Sequence, residues 1–164
     1  MAGFSTLPVP EPVFADVEAG VLEYSKLPGL PLMDHPVEEP AGLAPALGGF
    51  VGRLNRAPLK KMEPLVERDF YPLAAWREDA ERDYRQIVER VPAADRRLIE
   101  DFLGCTPPAE PRTEALCHND LGAEHVLVDV GTSAITGIID RTDAAIADPA
   151  CDLALIYRDL GPKV

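Results

Sequence analysis

The sequence predicts an α+β fold, mostly helical, with a short β-hairpin near each end of the chain. Three observations carry that expectation. Two short β-rich segments separated by a turn lie before residue 28, apolar residues recur at helical spacing between 41 and 105, and two further β-rich runs follow residue 125. The 164 residues suit one ordinary domain with a real core, and 46% apolar with 27% charged residues is globular composition.

The first hairpin is expected from "EPVFAD" and "GVLEYSKL", joined by the turn-like "DVEAG". Prolines 8, 10 and 12 cannot donate ladder hydrogen bonds, so its first strand should begin at an edge. "LPGLPLMDHPVEEP" (27–40) carries four prolines and a glycine and reads as a connector. Leu43, Leu47, Phe50, Val51 and Leu54 then predict a helix over 41–56, interrupted in propensity by Gly48-Gly49. Over 72–91, Leu73, Trp76, Ala80, Tyr84, Ile87 and Val91 recur at steps of three and four, and are expected to form a core stripe. A shorter helix is expected over 92–105, stopped by Gly104. Val126–Val130 and Ala134–Ile139 predict a second hairpin, and Asp148-Pro149 is a cap-and-first-residue signal for a final helix.

The net charge of −12 disfavours a sequence-independent grip on nucleic acid. Cys105, Cys117 and Cys151 are widely spaced and lack CxxC pairs, which fits a reducing cytoplasm better than a disulfide framework or zinc knuckle. No stretch approaches the roughly 20 apolar residues of a membrane span, and the N-terminus lacks the basic and apolar regions of a signal peptide. The expectation is a cytoplasmic protein with no nucleic-acid or membrane partner.

The chemistry concentrates in "HNDLGAEHVLVD". A hairpin whose leading loop carries Asp120 and His125, and whose far end carries Asp140, can gather all three at one end of its strands. Two carboxylates and an imidazole there could hold a hard cation such as Mg2+. A carboxylate free of metal could instead accept a proton from an attacking hydroxyl. Together these are parts of a phosphoryl-transfer site. A competing reading makes His118, Asp120 and His125 ligands of a hydrolytic zinc. A third makes His118 a buried, hydrogen-bonded histidine and the aspartates turn and cap residues.

"HNDLGAEHVLVD" followed by "GIIDRTDAAIADPACDLA" resembles the catalytic segment of the aminoglycoside phosphotransferase family, small-molecule kinases distantly similar to protein kinases. The resemblance implies a protein-kinase-like fold, with a remnant N-lobe hairpin and hinge at 1–28 and a partial, mostly helical C-terminal lobe at 29–164. It implies Asp120 as catalytic base, His118 as support for the catalytic loop, and Asp140 with His125 as metal holders. Asp148 and Asp152 would brace the following segment. The backbone of Glu23, Tyr24, Ser25, Lys26 and Leu27 would face the purine of the nucleotide. The implied reaction moves the terminal phosphoryl group of ATP or GTP, with Mg2+, to a hydroxyl of a small molecule, such as an aminoglycoside-like amine.

The sequence departs from that pattern in three places. His125 stands where the family usually has asparagine, and imidazole is a softer ligand than an amide oxygen. Arg141 stands where the family often has an aromatic residue. Before residue 7 there is no glycine-rich loop and no strand with a phosphate-pairing lysine; Lys26 lies in the hinge and Lys60-Lys61 in a connector. On the resemblance, the first part of the N-terminal lobe and the C-terminal tail are missing. Two classes therefore stand open: an active phosphotransferase, or a pseudokinase or binding module that keeps the site but not the turnover. A partner chain or second copy pairing with the open sheet edge would supply missing strands.

Overall fold

The computed structural model describes residues 2–69, 71–109, 113–162 and 164. Contacts divide the chain into two units, residues 1–69 with 113–164, and residues 70–112. In chain order the strands are Pro12–Asp16 (β1), Val21–Tyr24 (β2), Leu30–Pro31 (β3), Ala115–Cys117 (β4), Val126–Val128 (β5), Ile135–Ile138 (β6) and Ala145–Ala147 (β7). The α-helices are Ala44–Asn55 (α1), Leu59–Met62 (α2), Leu73–Ile87 (α3), Ala93–Leu103 (α4) and Ala150–Leu160 (α5).

In the first unit, β1 and β2 form the expected antiparallel hairpin, in register Ala15 to Leu22 and Asp16 to Val21. The Asp16 carboxylate closes the turn by accepting the Ala19 N–H at 2.9 Å, and Gly20 takes φ +65°. The connector expectation for 27–40 needs correcting. Leu30–Pro31 pairs antiparallel with β5 and forms the edge of a three-stranded sheet ordered β3-β5-β6. Pro31 is tolerated because it sits on that edge. Gly29 makes the approach feasible. It adopts φ +99°, and a Cβ there would stand 2.9 Å from the Val128 carbonyl oxygen.

α1 starts within the expected 41–56 span and is preceded by a 3-10 turn over Pro40–Leu43. Its buried face of Leu47, Phe50, Val51 and Leu54 joins Leu116, Leu121, Val126, Val128, Ile138 and Ile146 in the main core. Each such side chain removed from water stabilises by roughly 1.5–3 kcal/mol. The glycine pair lies on the outer face, and a Cβ at Gly48 would meet nothing within 4 Å. β4 and β7 pair antiparallel and were not expected as strands. Ala115, Cys117, Ala145 and Ala147 are all buried between them and their neighbours. α5 begins as expected: the Asp148 carboxylate accepts the Ala150 N–H at 2.9 Å, and Pro149 already has helical angles.

The second unit contains α3 and α4. Both lie within their expected spans, and Gly104 follows α4 with its N–H donating to the Glu100 carbonyl. The core-stripe expectation for α3 is overturned. No described residue of that helix is buried, and Trp76 is 59% exposed. Within its unit α3 packs on α4 and on the 3-10 turn Val88–Arg90 that follows it, and these short elements cover one line of contact rather than a stripe. Trp76 packs edge-on against Tyr71 instead, and Tyr84 donates its hydroxyl to Glu100 at 3.0 Å. No helix among the described residues is long and apolar enough to cross a membrane.

Candidate functional site

The buried β4–β7 and β5–β6 pairs present three loop segments, 118–125, 139–144 and 67–69, at one end of the first unit. The last of these runs parallel beside β7, with the Asp69 N–H donating to the Ile146 carbonyl at 3.0 Å.

Asp152, fully buried on α5, organises the first segment. Its two carboxylate oxygens accept the backbone N–H groups of His118 at 3.0 Å and Asn119 at 2.7 Å. Burial pushes the Asp152 carboxyl up from its usual range, and those two N–H donors pull it back down. Asn119 can present its N–H this way because it sits in the left-handed region at φ 67°. Its side-chain amide donates to Asp69 at 3.1 Å, which ties the loop to the 67–69 segment.

His118 is 1% exposed. Its Nε2 donates to the Ile139 carbonyl at 3.1 Å, since a carbonyl can only accept, and Nδ1 has no partner among the described residues. Burial lowers its pKa, with Asp152 opposing, so the neutral ring is favoured. His118 thus ties the leading loop to the residue before Asp140. The neighbouring Cys117 is equally buried, and its thiol is pushed up to about 12, chiefly by burial, so it is a packing residue rather than a nucleophile.

His125 stands between the two acids. Its Nδ1 donates to the Asp120 backbone carbonyl at 2.7 Å and lies 3.5 Å from the Asp120 carboxylate. That bond fixes the proton on Nδ1 in the neutral ring. Nε2 then carries a lone pair and faces the Asp140 carboxylate at 3.8 Å. Two electron-pair donors facing each other across that gap suit a bridging cation. Asp140 is held at φ 51° and accepts the Thr142 hydroxyl at 2.8 Å. Those Thr142 bonds, hydroxyl first and backbone N–H second, hold its carboxyl below the usual range, so it is ionised at neutral pH.

The structure therefore brings Asp120, His125 and Asp140 together as the sequence predicts. It does not gather the zinc trio. The donor atoms within 4.8 Å of one another belong to Asp120, Glu124 and His125, while His118 Nε2 is taken by Ile139. Glu124 was missed, although an acid beside His125 is visible in "AEH". The Asn119–Asp69 link joins residues 50 apart and has no local signal.

Two open cavities of about 850 Å³ each flank this cluster. One lies between the first hairpin and the β5–β6 end. Tyr24, Lys26 and Leu27 line it, as do Asp140 and Arg141. Of the remaining expected nucleotide residues, Ser25 lines a smaller neighbouring cavity, and Glu23 lies in the β1–β2 ladder opposite Phe14. The second cavity is walled by Glu63, Glu67, Asp69 and Asp143 together with Asn119 and Arg141.

Residues 1–164 match the description "phosphotransferase enzyme family". The viomycin phosphotransferase of Streptomyces vinaceus is 26% identical over 156 residues, which are 90% of this chain and 53% of that protein. An aminoglycoside 3'-phosphotransferase of Streptomyces fradiae is 44% identical over 45 residues, 27% of this chain and 17% of that protein. Among solved structures, the GDP complex of aminoglycoside 2'-phosphotransferase-IIIa superposes with a TM-score of 0.71 at 25% identity, covering 97% of this chain and 57% of that one. An aminoglycoside phosphotransferase from Streptomyces rimosus, solved in complex with ADP and streptomycin, shares the fold with a TM-score of 0.59 at 23% identity, covering 96% of this chain and 62% of that one. The chain spans about half the length of the viomycin enzyme it matches.

Proposed function

The chain belongs to the phosphotransferase enzyme family, and on that premise we propose that it carries the site that moves the terminal phosphoryl group of ATP or GTP to a hydroxyl of a small molecule. The observation that supports this reading most is the Asp120–His125–Asp140 cluster beside a cavity lined by Tyr24, Lys26 and Leu27. On this reading residues 1–28 are the remnant nucleotide-side hairpin and hinge, and 29–164 the partial catalytic lobe.

The protein's task in such chemistry is placement and charge balance, with little covalent work. Asp140 and His125 Nε2 fit a divalent cation: an ionised carboxylate and a lone pair face each other, and the tautomer is fixed by the Asp120 carbonyl. When bound, Mg2+ would neutralise charge on the nucleotide phosphates. Asp120, with its side chain 40% exposed, accepts the proton of the acceptor hydroxyl. The new O–P bond forms as the bond to the leaving nucleoside diphosphate breaks, and the bonding pair leaves with that diphosphate. Asp152 and His118 hold the loop in place and touch neither reactant. The acidic second cavity suits an amine-bearing acceptor, such as an aminoglycoside-like molecule. The open edges of the β1–β2 hairpin are where a partner strand or second copy would add, and free cysteines fit a cytoplasmic setting.

Calorimetric titration with ATP and GTP, with and without magnesium, tests the reading. Binding should require magnesium and disappear in Asp140→Ala while the circular dichroism spectrum stays that of the parent. Binding that survives Asp140→Ala would show the metal assignment to be wrong.

A further inference from the structure

Among the described residues, Arg141 is a cation without a counter-ion. It directly follows Asp140 and is partly buried, yet none of the ion pairs among the described residues involves it, in a chain of net charge −12. Its hydrogen bond, from Nη2 to the Pro10 carbonyl at 3.4 Å, is long and goes to a neutral group. Arg68 and Arg158 of the first unit are served differently, Arg68 by Glu63 and Glu114 and Arg158 by Glu124 and Asp159, whereas Arg53 and Arg56, also without an ion pair among the described residues, are exposed to water. A partly desolvated guanidinium that lacks a carboxylate is costly unless an anion completes it.

Its position says which anion. Arg141 lines both large cavities, the one that holds Tyr24 and Lys26 and the acidic one that holds Asp69 and Asn119. The bond to Pro10 sets the guanidinium on the side of the first cavity, because Pro10 lines that cavity and not the second. Arg141 and Thr142 are the residues that the two linings share, and the neighbouring Asp140 lines the first cavity. A carboxylate or a phosphate would fit the charge, and Glu63, Glu67, Asp69 and Asp143 of the second cavity disfavour either anion there, which leaves the first cavity as the place for it. The planar fork of five donors matches phosphate oxygens in pairs.

We propose that Arg141 binds the phosphate oxygens of the nucleotide at the point where the phosphoryl group is handed between the two cavities. The inference rests on the phosphotransferase reading and adds to it a residue and a role. Arg141 thereby supplies positive charge from the catalytic segment itself, next to the candidate metal holder.

The test compares the full chain with Arg141→Gln and Arg141→Ala by calorimetry, using the nucleoside, the diphosphate and the triphosphate with magnesium. Arg141→Gln keeps a donor for the Pro10 carbonyl and removes the charge, so thermal stability should stay at or above the parent value. Triphosphate affinity should fall about 10- to 100-fold in both variants, the loss of charge-assisted hydrogen bonds, while nucleoside affinity stays the same. Equal losses for nucleoside and triphosphate would overturn the assignment, because the residue would then be shaping the cavity wall. Unchanged triphosphate affinity in Arg141→Gln overturns it as well and leaves the phosphotransferase reading standing. Absence of nucleotide binding in the parent chain overturns both.

Discussion

The two hairpins of the first unit share a sequence grammar and live in opposite environments. β1 and β2 expose Val13, Phe14, Val21, Leu22 and Tyr24, whereas β5 is buried throughout and β6 buries Gly137 and Ile138. Both are short, antiparallel and rich in β-branched residues, so composition alone does not separate them. What separates them is the layer beneath. Val126, Val128 and Ile138 of β5 and β6 belong to the same buried cluster as Leu47, Phe50, Val51 and Leu54 of α1, and β1–β2 is anchored at its root, where the Ile138 N–H donates to the Pro8 carbonyl at 3.0 Å and Val9 is buried. A hairpin without a covered face is marginal by itself. The lesson is a division of labour: the candidate site residues His125 and Asp140 flank the buried hairpin, with Asp120 in its leading loop, and the exposed hairpin supplies a cavity wall.

The largest expected effect breaks that contrast directly. Ile138→Ala should cost about 2–5 kcal/mol in urea unfolding, and Leu22→Ala less than about 0.5 kcal/mol. Comparable costs at the two sites would mean that the first hairpin is covered in solution. A smaller effect tests the brace. Asp152→Asn leaves one of two buried N–H groups facing an amide N–H, so about 1–3 kcal/mol should be lost, and amide exchange at His118 and Asn119 should accelerate. Unaltered exchange would dissociate Asp152 from loop placement. Glu23→Gln on the exposed hairpin should change neither readout.

The smallest effect is a pH slope. Burial lowers the His118 pKa below its unfolded value of about 6.5. Between the folded and unfolded values the unfolded chain binds more protons, so this contribution is present above about pH 6.5 and is lost as pH falls towards the folded value. Asp152, pushed up by burial, acts with the opposite sign from the usual carboxylate range upwards. Unfolding midpoints measured from pH 7.5 to 5 should therefore drop less in His118→Gln than in the parent. A parallel drop would mean that His118 titrates alike in both states.

Much of the first unit was legible because its signals are local. Leu47, Phe50, Val51 and Leu54 share a period, Asp148-Pro149 is a helix start, and the two hairpins carry their turns between them. The same period misled at Trp76 and Ile87. Spacing reports that a helix has an apolar side but not that anything covers it. β4 and β7 escaped because three-residue strands of alanine, leucine, cysteine and isoleucine have no alternation to read. Asp120, His125 and Asp140 were legible as a set because one hairpin joins them, whereas Asp69 reaches the site only through tertiary pairing with β7.

Asn119 and Asp140 both hold left-handed backbone, at φ 67° and 51°, at the candidate site. Glycine is the residue that relieves such a conformation at no steric cost. Selection for thermal tolerance and selection for ligand capture would therefore pull these two positions apart. A population screened only for heat resistance drifts towards glycine at 140 and goes silent, while one screened for captured nucleotide keeps the acid and tolerates the tighter backbone. Drift at these two codons records which pressure a lineage has been under.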